Sequence, residues 1–403
     1  MPELAQELRE RILASGPIPF RDFMRAALYH PLHGFYASGR QRTGPSGDFV
    51  TSPTLHPGFG AALGELCLRL WRRAGEPSEW CVLEMGAGGG ELARDLLAWA
   101  QARHQGDPDG FPPALRYRIL EPFPALVERQ RATLAPWCPR PEGAPPGQPR
   151  MPSPALASPP STSASSGAPP STLGWLPPPA QLPSGSVTGV LLSNELVDAF
   201  PVHRLRWRQG GLEEAHAGLS DTGFTEAWLP ATPDALRAAE ELGGHVPGGP
   251  AGVRPEGRPF ELCPEGREWL RQCARVLRRG SILTLDYGAE APELYSDRFP
   301  RGTLLSYRGH GTADPYQAPG DQDLSAWVDF SALAEEGRRQ GLWSAPLTTQ
   351  RDLLLHLGWP PQGALGSAGV PGALESLVAP GGLGAIRALL QGKGVSPVGL
   401  LDT

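Results

Sequence analysis

The 403-residue sequence predicts an α/β protein with a Rossmann-like parallel central sheet. Three observations carry this reading. The run Val82-Leu83-Glu84-Met85-Gly86-Ala87-Gly88-Gly89-Gly90-Glu91 is a buried strand ending in an acid, a turn of spaced glycines, and the start of an amphipathic helix. Strand and helix patterns then alternate, with strand 80–84, helix 91–102, strand 117–120 and helix 124–134. Two further apolar strand runs, 187–192 and 281–288, follow later and lead into polar or acidic residues.

The elements fall in order along the chain. Leu4, Leu8 and Ile12 recur every four residues and predict an N-terminal helix packing one face. Residues 1–75 read as a helical region interrupted by a loop over 34–57. Within it, Gly44-Pro45-Ser46-Gly47-Asp48-Phe49-Val50-Thr51-Ser52-Pro53 holds too many turn residues for a helix. Helical spacing resumes over 59–71. The sheet-bearing domain spans 76–330 and is broken by 139–172, an insertion dominated by Pro, Ser, Ala and Gly. Without apolar periodicity, that insertion cannot bury enough surface to offset its ordering entropy, and it reads as disordered. Residues 203–260 form an antiparallel excursion: Trp207, Phe224 and Trp228 alternate around the turn Gly210-Gly211, and 243–258 make a Gly/Pro-rich loop. A helix over 264–277 leads into the last parallel strand. Helical spacing near 330–340 and 350–357 predicts a C-terminal helical cap over 331–403.

Composition narrows the function. A net charge of −6 without a basic block argues against a nucleic-acid partner. No uncharged apolar run approaches the ~18 residues that would span a bilayer. The N-terminus lacks a signal-peptide core and carries Glu3, Glu7 and Glu10. Cys67, Cys81, Cys138, Cys263 and Cys273 include no C-x-x-C pair and read as reduced thiols, not as a disulfide framework or metal site. The expectation is a cytoplasmic protein without membrane insertion; a homodimer is compatible with it.

The glycine frame discriminates between nucleoside cofactors. A dinucleotide site needs G-x-G-x-x-G from the strand end, and counted from Gly86 the third position is Glu91. The offset frame Gly88-x-Gly90-x-x-Ala93 satisfies a relaxed form but starts two residues into the turn. The frame Gly86-x-Gly88-x-Gly90, with Glu84 before it and Glu121 at the end of the next strand, fits S-adenosylmethionine (SAM) better than NAD. Glu121 can accept hydrogen bonds from both ribose hydroxyls. An oxidoreductase using NAD stays open on the offset frame.

Seven runs in order resemble the MidA family of class I SAM-dependent methyltransferases. They are Leu28-Tyr29-His30-Pro31-Leu32-His33-Gly34-Phe35-Tyr36, Gly47-Asp48-Phe49-Val50-Thr51-Ser52-Pro53, the glycine turn, Asn194-Glu195-Leu196-Val197-Asp198-Ala199-Phe200-Pro201-Val202, Asp286-Tyr287-Gly288, Gly302-Thr303-Leu304-Leu305-Ser306-Tyr307-Arg308-Gly309-His310 and Asp323-Leu324-Ser325-Ala326-Trp327-Val328-Asp329-Phe330. The resemblance implies a class I methyltransferase fold, SAM as cofactor, and a protein substrate methylated on arginine, in the setting of respiratory complex I or its assembly. It also allows an assembly chaperone that keeps the fold with little activity. Ala87 and Gly89 stand where the family usually has Pro and Arg, Trp327 where many relatives have His, and Leu196 where Phe is common.

The expected cofactor-binding set is Glu84, Gly86, Gly88, Gly90, Glu121 and Asn194; no metal is needed. Methyl transfer is an in-line displacement, so catalysis is largely alignment of a nucleophile. An arginine acceptor arrives charged, and carboxylates both grip its guanidinium and offset repulsion from the sulfonium. Glu195 and Asp198, after the strand at 187–192, are the catalytic candidates; in a short helix their i, i+3 spacing would place both on one face, while Ser193 or Asn194 would cap it. Asp48 joins them on a loop able to fold over a cofactor as a lid. Asp286 either lines the cleft or caps a loop, and His30 and His310 take structural or rim roles.

Overall fold

The computed structural model describes residues 3–38, 50–106, 110–138, 173–242, 256–308, 311–359 and 372–399. Asp48, His310, the insertion over 139–172 and most of the loop over 243–258 lie outside the described residues. The periodic leucines form α1 (Glu3–Ser15), which buries Leu4, Leu8 and Ile12. β1 (Ile18–Pro19) and α2 (Phe20–Tyr29) follow, and α2 buries Phe20, Phe23, Met24, Ala27 and Leu28. The sequence reads 34–57 as continuous loop, yet one helical turn, α3 (Ser52–Leu55), forms there. Pro53 sits in its first turn, where a missing N–H leaves no bond unmade. α4 (Gly58–Arg73) then leads to the sheet.

β2 (Trp80–Met85) runs through the glycine turn into α5 (Glu91–Gly106). A short α6 (Phe111–Ala114), β3 (Leu115–Leu120), α7 (Pro124–Thr133) and β4 (Leu173–Leu176) build one half of the sheet. β5 (Val187–Asn194) opens the other half. The antiparallel excursion is real: β6 (His203–Arg208), β7 (Gly211–Ser220) and β8 (Gly223–Pro230), then α8 (Pro233–Leu242) and β9 (Phe260–Leu262). The chain returns through α9 (Pro264–Val276) to β10 (Leu277–Asp286).

Short pieces frame the carboxyl end of the sheet: β11 (Gly288–Ala289), α10 (Ala291–Leu294), β12 (Leu305–Arg308), β13 (Gly311–Thr312), β14 (Asp323–Ser325) and β15 (Val328–Asp329). Then come α11 (Phe330–Arg339), β16 (Trp343–Ser344), β17 (Thr348–Thr349), α12 (Gln350–His356), α13 (Gly372–Val378) and β18 (Arg387–Lys393). Among the described residues, no helix is long and apolar enough to cross a membrane.

The central sheet has the order β16-β18-β10-β5-β2-β3-β4, with β17 also on β18. β4, β3, β2, β5 and β10 are parallel. The chain moves outward from β2 to β4, then crosses back to β5 and β10. The carboxyl ends of β2 and β5 therefore flank the switch point where such sheets bind ligands. Alternate residues feed two cores. Val82, Val190, Leu192, Leu283 and Leu390 pack with α4 and α5, while Leu83, Leu191, Ile282 and Leu389 pack with α9 and α11.

The helical-cap reading covers α11, α12 and α13 but omits β18, which pairs antiparallel with β10 from Gly280–Lys393 to Asp286–Arg387. Its Ala-Leu-Leu run is buried on both faces, so it lacks the alternation that marks a strand. If β18 is core, Leu390→Ala should cost about 2–5 kcal/mol in chemical denaturation. An unchanged unfolding midpoint would place this strand outside the cooperative unit.

Candidate active site

The glycine turn leaves β2 with Gly86, Gly88 and Gly90 at φ +74°, +53° and +87°. L side chains rarely adopt this region, so the spacing of the glycines is a conformational requirement. A Cβ at Gly86 would come within 2.9 Å of Leu196, whereas one at Gly88 would meet nothing within 4 Å. Bare backbone at Gly88 thus faces open space at the switch point. Glu84, at the strand end, is turned inward: it is buried and accepts a 2.7 Å hydrogen bond from the Tyr117 hydroxyl. Burial pushes its carboxyl up to about 7, against the lowering effect of that bond.

Glu121 follows β3. One carboxylate oxygen accepts from the Phe123 amide (3.0 Å) and the other from Gln130 Nε2 (3.1 Å). Burial raises it to about 7, with both donors pulling the other way. Gln130 also reaches the Gly88 carbonyl (3.1 Å) and accepts from Trp175 Nε1 (2.9 Å). The sequence reading missed both Gln130 and Trp175, because a glutamine inside a helix and a tryptophan on a short strand carry no local signal.

The acids after β5 are arranged otherwise than expected. Residues 195–200 form bends and turns, so neither the helix nor its Ser193 or Asn194 cap exists. Asp286, at the end of β10, holds this turn. It is fully buried, and its Oδ2 accepts from the amides of Leu196 (3.1 Å), Val197 (2.8 Å) and Asp198 (3.3 Å), while Oδ1 accepts from Tyr287 N (2.9 Å). Three consecutive amides of the turn thus converge on one carboxylate oxygen and stabilise its charge. Glu195 is forced to φ +52°, and its amide donates to the Leu285 carbonyl (2.8 Å).

The Glu195 side chain then accepts from Asn194 Nδ2 (2.9 Å) and from the Ser52 backbone amide. Burial lifts its carboxyl to about 8, a rise opposed by these two donors. Asn194 is itself buried, and its Oδ1 has no hydrogen-bond partner. Burial, then the charges of Asp286, Asp323 and Glu195, hold Asp198 well above the usual carboxylate range. Asp286 rises to about 6 through burial, restrained by its backbone donors.

Aromatic side chains from the N-terminal region close one side. Tyr29 donates to the Ala199 carbonyl (3.0 Å) and stacks near Phe123 at 6.4 Å, and Tyr36 lies 6.3 Å from the same ring. The α3 turn is tied down from the opposite end of the chain, as Ser52 Oγ donates to Gln350 (2.8 Å). Glu84, the glycines, Glu121, Asn194, Glu195 and Asp198 thus all stand at or just beyond the carboxyl ends of β2, β3 and β5. His30 is engaged in its own turn, accepting from the Leu32 and His33 amides and facing Glu7 at 3.2 Å.

A switch point with positive-φ glycines, an unpaired buried amide oxygen and a second-strand acid fits a nucleoside-bearing cofactor, and this fold and site define a class I methyltransferase. Residues 62–347 match the family described as S-adenosyl-L-methionine-dependent methyltransferases, and the chain belongs to that family. It is 27% identical over 359 residues to the mitochondrial protein arginine methyltransferase NDUFAF7 of Danio rerio, covering 88% of this chain and 76% of that protein. The human NDUFAF7 is 25% identical over 341 residues, covering 82% and 68%. The fold is similar to a crystal structure from Burkholderia thailandensis bound to S-adenosyl-homocysteine, with TM-score 0.77, 27% identity, and 99% and 94% of the two chains covered. SAM is the cofactor, and the residues present fit it.

The raised carboxyls set a pH dependence. Glu195 ionises at about 8 in the folded protein against an ordinary 4.5, so between those values the folded state keeps a proton that the unfolded chain releases. Its contribution therefore turns increasingly destabilising as pH rises through that window. Glu195→Gln removes the effect. Its gain in Tm over the wild type should grow from about pH 5 to about 8 and then level off. A gain independent of pH would contradict the burial of this carboxyl.

Proposed function

We propose that the protein transfers the methyl group of SAM to an arginine side chain of a protein substrate, in the setting of respiratory complex I or its assembly and in the cytoplasm. The observation that carries this reading is the set of acids at the switch point, with Glu195 held at φ +52° by the Asp286 turn. The relatives named as arginine methyltransferases support the acceptor.

When bound, SAM supplies an electrophilic sulfonium methyl. Gly86, Gly88 and Gly90 would hold its amino-acid part and ribose against bare backbone, Glu121 would take the ribose hydroxyls, and Asn194 would offer its free Oδ1. Glu84, hydrogen-bonded to Tyr117, would shape the turn from within. Glu195 and Asp198 grip the guanidinium, concentrate its positive charge on one nitrogen and leave another free to attack. In a site walled by Tyr29, Tyr36 and Phe123, their charges act through little water and count for more. Asp48, four residues before Ser52 in the sequence, is proposed as a third acid of the catalytic set.

Glu195→Gln should lower kcat by about a hundredfold or more while S-adenosyl-homocysteine binds within about threefold of the wild type. Wild-type turnover by this variant would remove Glu195 from the chemistry. For the wild type, kcat/KM should rise with pH through about 8 as Glu195 loses its proton. With radiolabelled SAM and protein substrates, label is expected on arginine. Label on lysine or histidine contradicts the arginine assignment, and cofactor binding without any labelling points to a chaperone.

A further inference from the structure

Gln130 is fully buried in α7, and desolvating an amide is costly unless its donors and acceptor are met. They are met from three separate elements. Nε2 donates to the Gly88 carbonyl in the glycine turn (3.1 Å) and to Glu121 Oε2 beyond β3 (3.1 Å); Oε1 accepts from Trp175 Nε1 on β4 (2.9 Å). An indole nitrogen only donates, so the Gln130 atom facing Trp175 must be the oxygen. The nitrogen is thereby directed at Gly88 and Glu121. The backbone of α7 lies close behind the same turn: a Cβ at Gly90 would meet Gln130 Cα at 3.5 Å.

We propose that Gln130 is a positioning residue that couples the glycine turn to Glu121, so that two cofactor contacts from different βα loops are set by one amide nitrogen, with Trp175 fixing the orientation of that amide. The proposal rests on the SAM-binding reading of the site. A leucine would fill the same space but would leave the Gly88 carbonyl and the Glu121 carboxylate without this donor. A glutamate would set a second carboxylate beside Glu121. Only an amide donates twice on one side and accepts on the other. The bond from Gln130 also favours ionised Glu121, and Glu84 on β2 is the neighbouring acid that senses that charge.

The test is calorimetric titration of the full chain with S-adenosyl-homocysteine from pH 5.5 to 9, with steady-state kinetics alongside. Gln130→Leu should weaken binding and raise KM for SAM about tenfold or more, with kcat within about threefold. The pH midpoint of binding should move upward by roughly half to one unit, because Glu121 loses a donor to its charged form. A packing defect alone would lower Tm without moving that midpoint. Trp175→Phe, which removes one N–H at the edge of the sheet, should move affinity and midpoint in the same direction by a smaller amount. In a Glu121→Gln background, Gln130→Leu should no longer shift the midpoint.

Wild-type affinity and midpoint in Gln130→Leu would overturn the proposal, as would a loss confined to kcat. If Gln130→Leu does not fold, Trp175→Phe decides alone: an unmoved midpoint overturns the proposal. Failure of the wild type to bind S-adenosyl-homocysteine would be a different result, ending the methyltransferase reading and this proposal together.

Discussion

One buried carboxylate organises the turn that follows β5. Asp286 sits at the end of β10, fully out of water, where an unpaired charge would be prohibitively costly. Four backbone amides, at 196, 197, 198 and 287, converge on its two oxygens and make it tolerable. These bonds pin the turn that follows β5. It puts Glu195 in a left-handed conformation, hands its amide to Leu285, and sets Asn194 beside its carboxylate. Burial first, and then the charges of the neighbouring acids, hold Asp198 well above its usual range.

The cofactor side is organised differently, by backbone freedom and one amide. The three positive-φ glycines let the turn lie flat at the switch point, and Gln130 ties it to Glu121. The two sides come from neighbouring strand ends, β2 and β5, which the sheet register fixes at Met85–Ser193. The glycine turn and the acids after β5 are thus brought together by strand order, while Tyr29, Tyr36 and the α3 turn lie against them from outside the sheet. The last strand, β18, flanks β10 on its far side and so supports the element that carries Asp286.

The parallel strands, the glycine turn and the antiparallel excursion were legible in the sequence because each carries a local signal: an apolar run, a spacing, or alternation around a glycine pair. The acids at strand ends were legible for the same reason. What escaped depends on contacts distant in sequence. A short helix carrying Glu195 and Asp198 was one local reading; the turn that forms instead is pinned by an acid some ninety residues away. Gln130 and Trp175 matter through partners 42 and 45 residues distant, and nothing in their own neighbourhoods announces it. β18 was missed because its apolar run is only Ala388-Leu389-Leu390, too short to stand out from the helical cap around it.

Asp286 should hold Glu195 and Asp198 in place without itself binding the cofactor. The decisive measurement is methyl transfer by Asp286→Asn, combined with amide hydrogen exchange over 195–198 and S-adenosyl-homocysteine titration. An asparagine oxygen is a weaker acceptor and its NH₂ opposes the remaining amides. The account predicts faster exchange at 196–198, kcat reduced about tenfold or more, and cofactor affinity within about threefold of the wild type. Wild-type turnover with unprotected amides at 196–198 would contradict it, showing that the geometry of this turn does not set the chemistry.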